Sequence, residues 1–598
     1  MRTKRKTEEK KMSMSKNIAR LAVTAGLTAA LSFGGVMAPV TMAFADGTTG
    51  RITINKVDDA KMDNTFKAYQ IFTAKVIDAQ DGSGKIASDV KWAVGDQAQK
   101  DIITAIRGSK DYSDSKSQLP TEDPITAQDV ADWLSANITT TTASANGAKG
   151  TRVAPDDVLY SIAKAVINNE TAVGNSIKAG DSWTCSNDGY YLFVSDGLTD
   201  TTKPNTGTSP IFAIVGGSPV TVTEKTSIPT VDKQILDDTA DTDAANAEEG
   251  NWKNSGDAWI GQDIDYRLTG HVADNIASYN TYYYEFQDTL SKGLKVVKNS
   301  DGSPNGLHVY IVDNGGKKEV VPDAENGYTA TVTPGETELL NVSFKNLKTV
   351  QTAKGEPIEV GAASKVVVTY KAQLTSDVEY KAAGTTNEVK LVYSNNPMTN
   401  DKGTSEPDKV TDYVFGLDVT KTDADPKNVN AKLVAGFKVK MIKEGDKEVA
   451  DGGQWLTADG GLTTEVNKAG EFKTEDNNKV FIPGLVEGTY EISETTTPSG
   501  YNTIAPFQIT VKPTYDTAGN LTGLTVSDTS NMVDSDKTNA SIDSTKIPVT
   551  IKNKKGSGLP LTGLNGVTFT WIAGGAVLVI GVAHLIRSRK QAEESEQE

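Results

Sequence analysis

Apolar and polar residues alternate along most of this chain with the two-residue period of strands, and only one region keeps helical spacing. After residue 46, Ile52 and Ile54 alternate in a first strand, and Phe66 to Val76 makes a second apolar strand region. Three helical stretches follow: about Gln97 to Arg107, Ala127 to Ala136 behind a Thr126-x-x-Asp129 capping signal, and a face of Val158, Ile162, Ala165 and Val166 after Pro155. Strands return at Tyr190–Val194, Ile211–Val215 and Val220–Thr223. The pattern to about Thr226 therefore predicts a β-rich domain with helices inserted on one side.

A second segment opens at Ile228-Pro229-Thr230-Val231-Asp232-Lys233 and closes near Pro397. Its alternating runs are short: Ile264–Leu268, Tyr282–Phe286, Leu307–Val312, Leu339–Phe344, Val366–Leu374 and Asn387–Tyr393. Turn residues separate them at sandwich-like spacing, and no long helix is evident. A polar stretch, Asn395 to Thr411, is expected to link this segment to a third. The third begins at Phe415-Gly416-Leu417-Asp418-Val419-Thr420-Lys421 and continues with strands at Phe437–Ile442, Tyr490–Ser493, Phe507–Val511 and Ile547–Ile551. The expected fold is mainly β, with sandwich domains in a row instead of one large core.

The two ends break the alternation. Arg2 to Arg20 is strongly basic, Leu21 to Met42 is apolar and small, and Ala43-Phe44-Ala45 is an A-x-A pattern before Asp46. That is a secretory signal over residues 1–45, cleaved between Ala45 and Asp46, with Met12 or Met14 as other possible starts. At the far end stand Leu559, Pro560, Leu561, Thr562 and Gly563, then an apolar run over 567–586, then Arg587-Ser588-Arg589-Lys590. The run is long enough to cross a bilayer as a helix, for which about 20 residues suffice, and its basic flank should stay cytoplasmic.

Composition narrows the function. The 598-residue chain has a net charge of −17, more negative still once its basic leader is set aside. A basic face for nucleic acid is excluded, and the acidity suits a soluble, self-repelling surface protein. Cys185 is the sole cysteine, so no intramolecular disulfide can staple these extracellular domains. His271, His308 and His584 are scattered, so neither a Ser/His/Asp arrangement nor a metal cluster is read, and no cofactor is expected. The acidic run from Asp237 to Asp243 lacks the pattern of a calcium loop.

The second and third segments share a layout that local structure does not require. Each has a Lys in its first strand, an Asn in its last and an acid between: Lys233, Asp288 and Asn387 in the second, and Lys421, Glu494 and Asn553 in the third. Glu494 lies in Tyr490-Glu491-Ile492-Ser493-Glu494-Thr495.

With these residues and the Leu559–Gly563 pentapeptide, apolar run and basic tail, the chain resembles the isopeptide-forming, LPxTG-anchored backbone pilins of Gram-positive fimbriae, the SpaH/EbpB-like family. The resemblance covers nearly all of the chain after residue 45. It implies Ig-like or Cna-type sandwiches and these units: signal peptide 1–45, N-terminal pilin domain 46–227, fimbrial isopeptide-forming domain 228–411, Cna B-type (prealbumin-like) domain 412–558 with its Y-x-x-x-E-T box, and sorting signal 559–598. It also implies a self-formed Lys–Asn amide, with loss of ammonia, in the second and third domains.

The chemistry explains the three residue types. A Lys amine attacks only when neutral, and burial lowers its pKa. An Asp or Glu in such a core is expected in its neutral acid form, able to polarise the Asn amide and shuttle protons, and Asp288 and Glu494 are the candidates for that role. First and last strands lying side by side would hold the reactants together. The first domain departs from the scheme: Lys56 stands where a bridging Lys could, but Tyr190–Ser195 lacks the acid, so no cross-link is expected there.

The resemblance further implies that sortases, one pilin-specific and one housekeeping, cut between Thr562 and Gly563 and pass the Thr562 carbonyl to an amine. For joining copies, the family's motif falls on Val222-Thr223-Glu224-Lys225-Thr226, where Val and Lys match and Tyr, Pro and Asn do not. Lys225 is the candidate amine, with Lys203 and Lys233 as competitors. Implied partners are other copies, minor pilins and peptidoglycan; no adhesion ligand can be read. The protein is expected to act on itself once per bond and not to be a turnover enzyme, and a monomeric wall-anchored adhesin with the same domains is the alternative.

Overall fold

The computed structural model describes residues 50–556, except 57–63, 79–84, 116–117, 139–152, 199–203, 225, 239–241, 245 and 531–543. The leader, the Ala45–Asp46 junction, Lys203, Lys225, Leu559–Gly563, the apolar run 567–586 and His584 lie outside the described residues. No helix among the described residues is long and apolar enough to cross a membrane.

The described chain is mostly strand, as the alternation predicts. In its first part, strands Lys85–Trp92, Thr65–Asp78, Gly189–Asp196 and Ile211–Val215 lie in that order in one sheet, with Ile177–Lys178 paired to Thr65–Asp78. A second sheet runs Ser182–Thr184, Arg51–Asn55, Val220–Thr223. Four helices are inserted: α1 (Asp96–Arg107), α2 (Lys110–Asp114), α3 (Ala127–Asn137) and α4 (Val158–Asn169). Helix α3 starts with the predicted capping box, Thr126 Oγ1 accepting from the Asp129 N–H and Asp129 from the Thr126 N–H. Ile102, Ile106, Val130, Leu134, Ile162 and Val166 bring α1, α3 and α4 onto one face of the larger sheet. The other face packs against Ile52, Ile54 and Val222 of the smaller sheet. Strand Gly189–Asp196 is thus covered on both faces, which is why Tyr190–Val194 reads as an unbroken apolar run instead of an alternating one.

The middle part is a sandwich of two seven-stranded sheets. One carries Trp252–Lys253, Thr230–Leu236, Ile264–His271, Lys365–Leu374, His308–Asp313 and Gly316–Glu319 in order; the other carries Ser255–Asp257, Asp408–Tyr413, Thr385–Ser394, Tyr284–Leu290, Glu338–Phe344 and Thr329–Thr333. Their facing aromatic and branched side chains form one core, including Tyr266, Tyr284, Phe286, Leu340, Val368 and Tyr393.

The expected linker at residues 395–411 is not a linker. Lys402–Thr404 and Asp408–Tyr413 each pair with Thr385–Ser394. The turn between Ser394 and Lys402 docks on the first part: Met398 joins its core, Tyr160 of α4 donates to the Pro397 carbonyl at 3.1 Å, and Lys164 donates to the Met398 carbonyl at 2.9 Å. Asn395 and Asn396 at its start are buried, with Asn395 Nδ2 donating to Asn205 Oδ1 at 2.6 Å. A polar composition alone does not distinguish such a buried junction from a solvated tether.

The last part pairs Phe415–Asp423 antiparallel with Lys479–Leu485 and parallel with Lys546–Asn553. An eight-stranded sheet built on Gly436–Glu444, Gly488–Thr496, Phe507–Tyr515 and Leu521–Asp528 faces it. Leu417, Val419, Phe437, Ile492, Ile509 and Val549 fill the space between. This part touches the middle one where the Glu487 N–H donates to Asp257 and where Tyr413 Oη accepts from the Leu521 N–H at 3.0 Å.

Candidate functional site

The inward phase of each strand carries apolar residues, and at a few of those positions the sequence places charge. Lys421 follows Leu417 and Val419 on the inner face of Phe415–Asp423, and Asn553 follows Val549 and Ile551 on the parallel neighbour. The register sets Lys421 opposite Ile551 and Asp423 opposite Asn553, so Lys421 and Asn553 are diagonal on one face. Glu494 reaches them from strand Gly488–Thr496 of the facing sheet. Lys421 and Asn553 are fully buried and Glu494 nearly so.

The three side chains meet. Lys421 Nζ donates to Asn553 Oδ1, and also to the Ile551 carbonyl at 3.2 Å. Asn553 Nδ2 donates to both Glu494 oxygens at 3.0 Å and to the Asn502 carbonyl at 3.0 Å. Glu494 Oε1 lies 3.7 Å from Lys421 Nζ, and Oε2 accepts from the Ile504 N–H at 3.1 Å. Burial pulls the Lys421 amine down to about 8, against the opposing pull of Glu494. A neutral amine thus becomes accessible beside an amide whose nitrogen is already held by an acid. If the Lys421 amine limits the reaction, linkage of freshly refolded protein should quicken about tenfold per pH unit up to pH 8 and then level off. Time-resolved intact mass reads this directly, and a flat profile below pH 7 would contradict it.

The middle sandwich brings its three residues together differently. Lys233 lies on Thr230–Leu236, opposite Leu268 of Ile264–His271. Asp288 and Asn387 lie on adjacent strands of the facing sheet, where Leu290 is opposite Asn387 and Asp288 opposite Val389. The lysine and asparagine strands are therefore in different sheets, not side by side as expected. The asparagine strand is also not the last, since Lys402–Thr404 and Asp408–Tyr413 follow it. All three side chains are fully buried. Lys233 Nζ donates to Asp288 Oδ1 and Oδ2 at 2.6 and 2.7 Å. Burial lowers the Lys233 amine and raises the Asp288 carboxyl, each against the other's charge, so the neutral pair gains on the ionic one.

Sequence reasoning missed Tyr370. Its hydroxyl donates to Asp288 Oδ2 at 2.6 Å and accepts from Asn387 Nδ2 at 2.7 Å and Lys233 Nζ at 3.2 Å. It stacks on Tyr266, 5.3 Å between centroids, and the Tyr266 hydroxyl donates to Asp412 at 2.5 Å. In the sequence Tyr370 is one more inward residue of Val366–Leu374, and nothing there marks its hydroxyl as polar equipment.

The first part has the strand arrangement of the third without the residues. Arg51–Asn55 is parallel to Val220–Thr223 with Asn55 opposite Thr223. Carried one residue further, that register puts Lys56 opposite Glu224, with Thr226 where an asparagine would have to stand. Glu224 is buried and accepts from Asn64 Nδ2 at 2.7 Å. Cys185 is buried there too, with burial and nearby Asp188 pushing its thiol up to about 11. Of the histidines, His271 pairs with Asp232 at 3.0 Å and His308 with Glu319 at 2.7 Å, both near the surface.

Known proteins are similar to parts of this chain. Residues 416–522 match the SpaA family, a prealbumin-like fold domain. Fimbrial subunit type 2 of Actinomyces naeslundii is 26% identical over 331 residues, which are 52% of this chain and 54% of that protein. The chain thus spans about half the length of this curated relative. Among solved structures, the T6 backbone pilin of serotype M6 Streptococcus pyogenes is 12% identical with a TM-score of 0.46, covering 86% of this chain and 100% of that one. The Corynebacterium diphtheriae major pilin SpaA, described as a modular pilus assembly with stabilizing isopeptide bonds, is 13% identical with a TM-score of 0.42, covering 85% and 100%. About half of this chain is thus similar to a fimbrial subunit, and its third part matches the SpaA prealbumin-like fold domain.

Proposed function

We propose that this protein is the structural shaft subunit of a sortase-assembled surface pilus, stiffened by two self-formed Lys–Asn isopeptide bonds and serving adhesion. The observation that carries the reading is the pair of buried clusters, Lys233–Asp288–Asn387 and Lys421–Glu494–Asn553. A buried lysine and acid beside an asparagine cost stability as a mere ion pair, because apolar residues would fill the same space without the desolvation penalty. As reactants they are suited to their place: amine, acid and amide are held together without water, and the product amide has no charge to bury.

The reaction needs no cofactor. The neutral lysine attacks the Asn carbonyl carbon, the acid takes a proton from the attacking nitrogen and supplies one to the amide nitrogen, and ammonia leaves. Asp288 and Glu494 fill the acid's role. Closing loops of this length gives roughly 5 kcal/mol each on the disulfide model. In the third domain the bond joins the first and last strands, so a pull along the fibre bypasses the hydrogen-bonded strands between them.

Pilus growth joins a residue of one copy to a residue of the next. The three shaft domains are those expected at 46–227, 228–411 and 412–558, with the second boundary moved past Tyr413 because strand Asp408–Tyr413 belongs to the middle sandwich; Thr562 supplies the acyl group and Lys225 of another copy supplies the amine. At termination the acceptor is a wall precursor's amine, which anchors the fibre to peptidoglycan. The leader and the 567–586 anchor deliver and hold the precursor. In cells holding the cognate sortase, anti-subunit blots should give an SDS- and heat-resistant ladder. A single monomer band there would favour a wall-anchored monomeric adhesin.

A further inference from the structure

The two clusters solve one chemical problem with different contacts. In the third domain the acid touches the amide directly: both Glu494 oxygens accept from Asn553 Nδ2. In the middle domain Asp288 spends its oxygens on Lys233 and Tyr370, and the group at the Asn387 amide is the Tyr370 hydroxyl. Tyr370 is fully buried and within hydrogen-bond distance of all three reacting residues. The geometry points to Tyr370 as a fourth catalytic residue of the middle cross-link, carrying the proton from Asp288 to the departing nitrogen of Asn387. This rests on the isopeptide reading above.

The step balances. The neutral Lys233 amine forms a bond to Cγ of Asn387, and the carbonyl electron pair moves to Oδ1. Tyr370 gives its proton to Nδ2 and takes the Asp288 proton in the same passage. The resulting Asp288 carboxylate then removes a proton from the attacking nitrogen. The electron pair on Oδ1 returns, the Cγ–Nδ2 bond breaks and ammonia leaves, with Tyr370 and Asp288 as they began. Exchanging the two ends of the Asn387 amide changes which atom meets Tyr370, but it does not bring Asp288 to the amide.

Tyr266 provides a control within the same aromatic layer. It stacks on Tyr370 and lies near the Lys233 amine, 5.2 Å from Nζ to the ring centroid. Its hydroxyl is committed to Asp412 and not to Asn387.

The test is peptide mapping by mass spectrometry of the full chain after the leader, expressed as wild type, Tyr370→Phe, Tyr266→Phe and Tyr370→Phe with Asp288→Glu. The Lys421–Asn553 link in each molecule reports that the third domain has folded, and a single cooperative melting transition of the middle domain in each variant reports that the substituted sandwich has folded too. Tyr370→Phe should slow the Lys233–Asn387 link about 100-fold or more, the usual weight of positioned proton transfer. Tyr266→Phe should link as wild type does. The double variant, whose longer acid can meet the amide as Glu494 does, should recover the link. Equal linkage in Tyr370→Phe and wild type, or equal loss in both single Tyr→Phe variants, would overturn the relay. A wild type without the Lys233–Asn387 link would instead overturn the isopeptide reading on which it rests.

Discussion

Glu494→Gln should leave the third domain folded but unlinked, with one ammonia loss fewer in its intact mass. The substitution keeps the side-chain volume while removing the carboxyl that contacts both Lys421 and the Asn553 amide and that, on the proposed chemistry, moves protons between them. It also sets an amide NH2 against the Asn553 NH2, in a site where Glu494 now accepts two bonds from that nitrogen. Loss of the link should lower the stability of this domain by roughly 5 kcal/mol. For a domain of this size, that is a fall of roughly 10–20 °C in melting temperature. Calorimetry of the isolated Phe415–Asn553 region against its Glu494→Gln form measures it. An unchanged mass deficit in the variant would remove Glu494 from the chemistry.

Lys225→Ala should abolish the high-mass ladder on cells while leaving monomer abundance and both internal links unchanged. The expectation follows from the chain order: Lys225 comes directly after Glu224, whose backbone N–H donates to the Asn55 carbonyl at the end of the first domain's parallel strand pair. On the proposed reading, the acceptor for a neighbouring copy comes just after the last strand of the first domain. Thr562→Ala should abolish both the ladder and wall attachment, because one acyl donor serves both acceptors. A ladder that persists in Lys225→Ala and vanishes in Lys203→Ala would move the joint to Lys203.

The mainly β fold was legible because half-buried strands write their burial into alternate residues, as at Ile264–His271 with its alternating inward Ile264, Tyr266 and Leu268. The capping box at Thr126 and Asp129 placed the start of α3 to the residue. Short strands such as Lys402–Thr404 were not legible, since a three-residue Lys-Gly-Thr run carries no apolar alternation to mark it. For the clusters, a Lys on the apolar phase of a strand is visible in sequence, as with Lys421 after Leu417 and Val419. The sheet that supplies the acid is not. Glu494 comes from the sheet facing Lys421 and Asn553, whereas Asp288 and Asn387 share a sheet facing Lys233. The choice depends on strand pairing across more than a hundred residues, which no local pattern encodes. Tyr370 was hidden for a related reason: as a core aromatic it satisfies the strand pattern fully, and only the fold shows its hydroxyl between Asp288 and Asn387.

The central claim is that two buried clusters convert themselves into amide bonds. Intact mass of recombinant Asp46–Gly558, purified without any sortase, tests it most directly. The account predicts a mass below that of the sequence by two ammonia losses, mapped by proteolysis to Lys233–Asn387 and Lys421–Asn553. A mass equal to that of the sequence would contradict it.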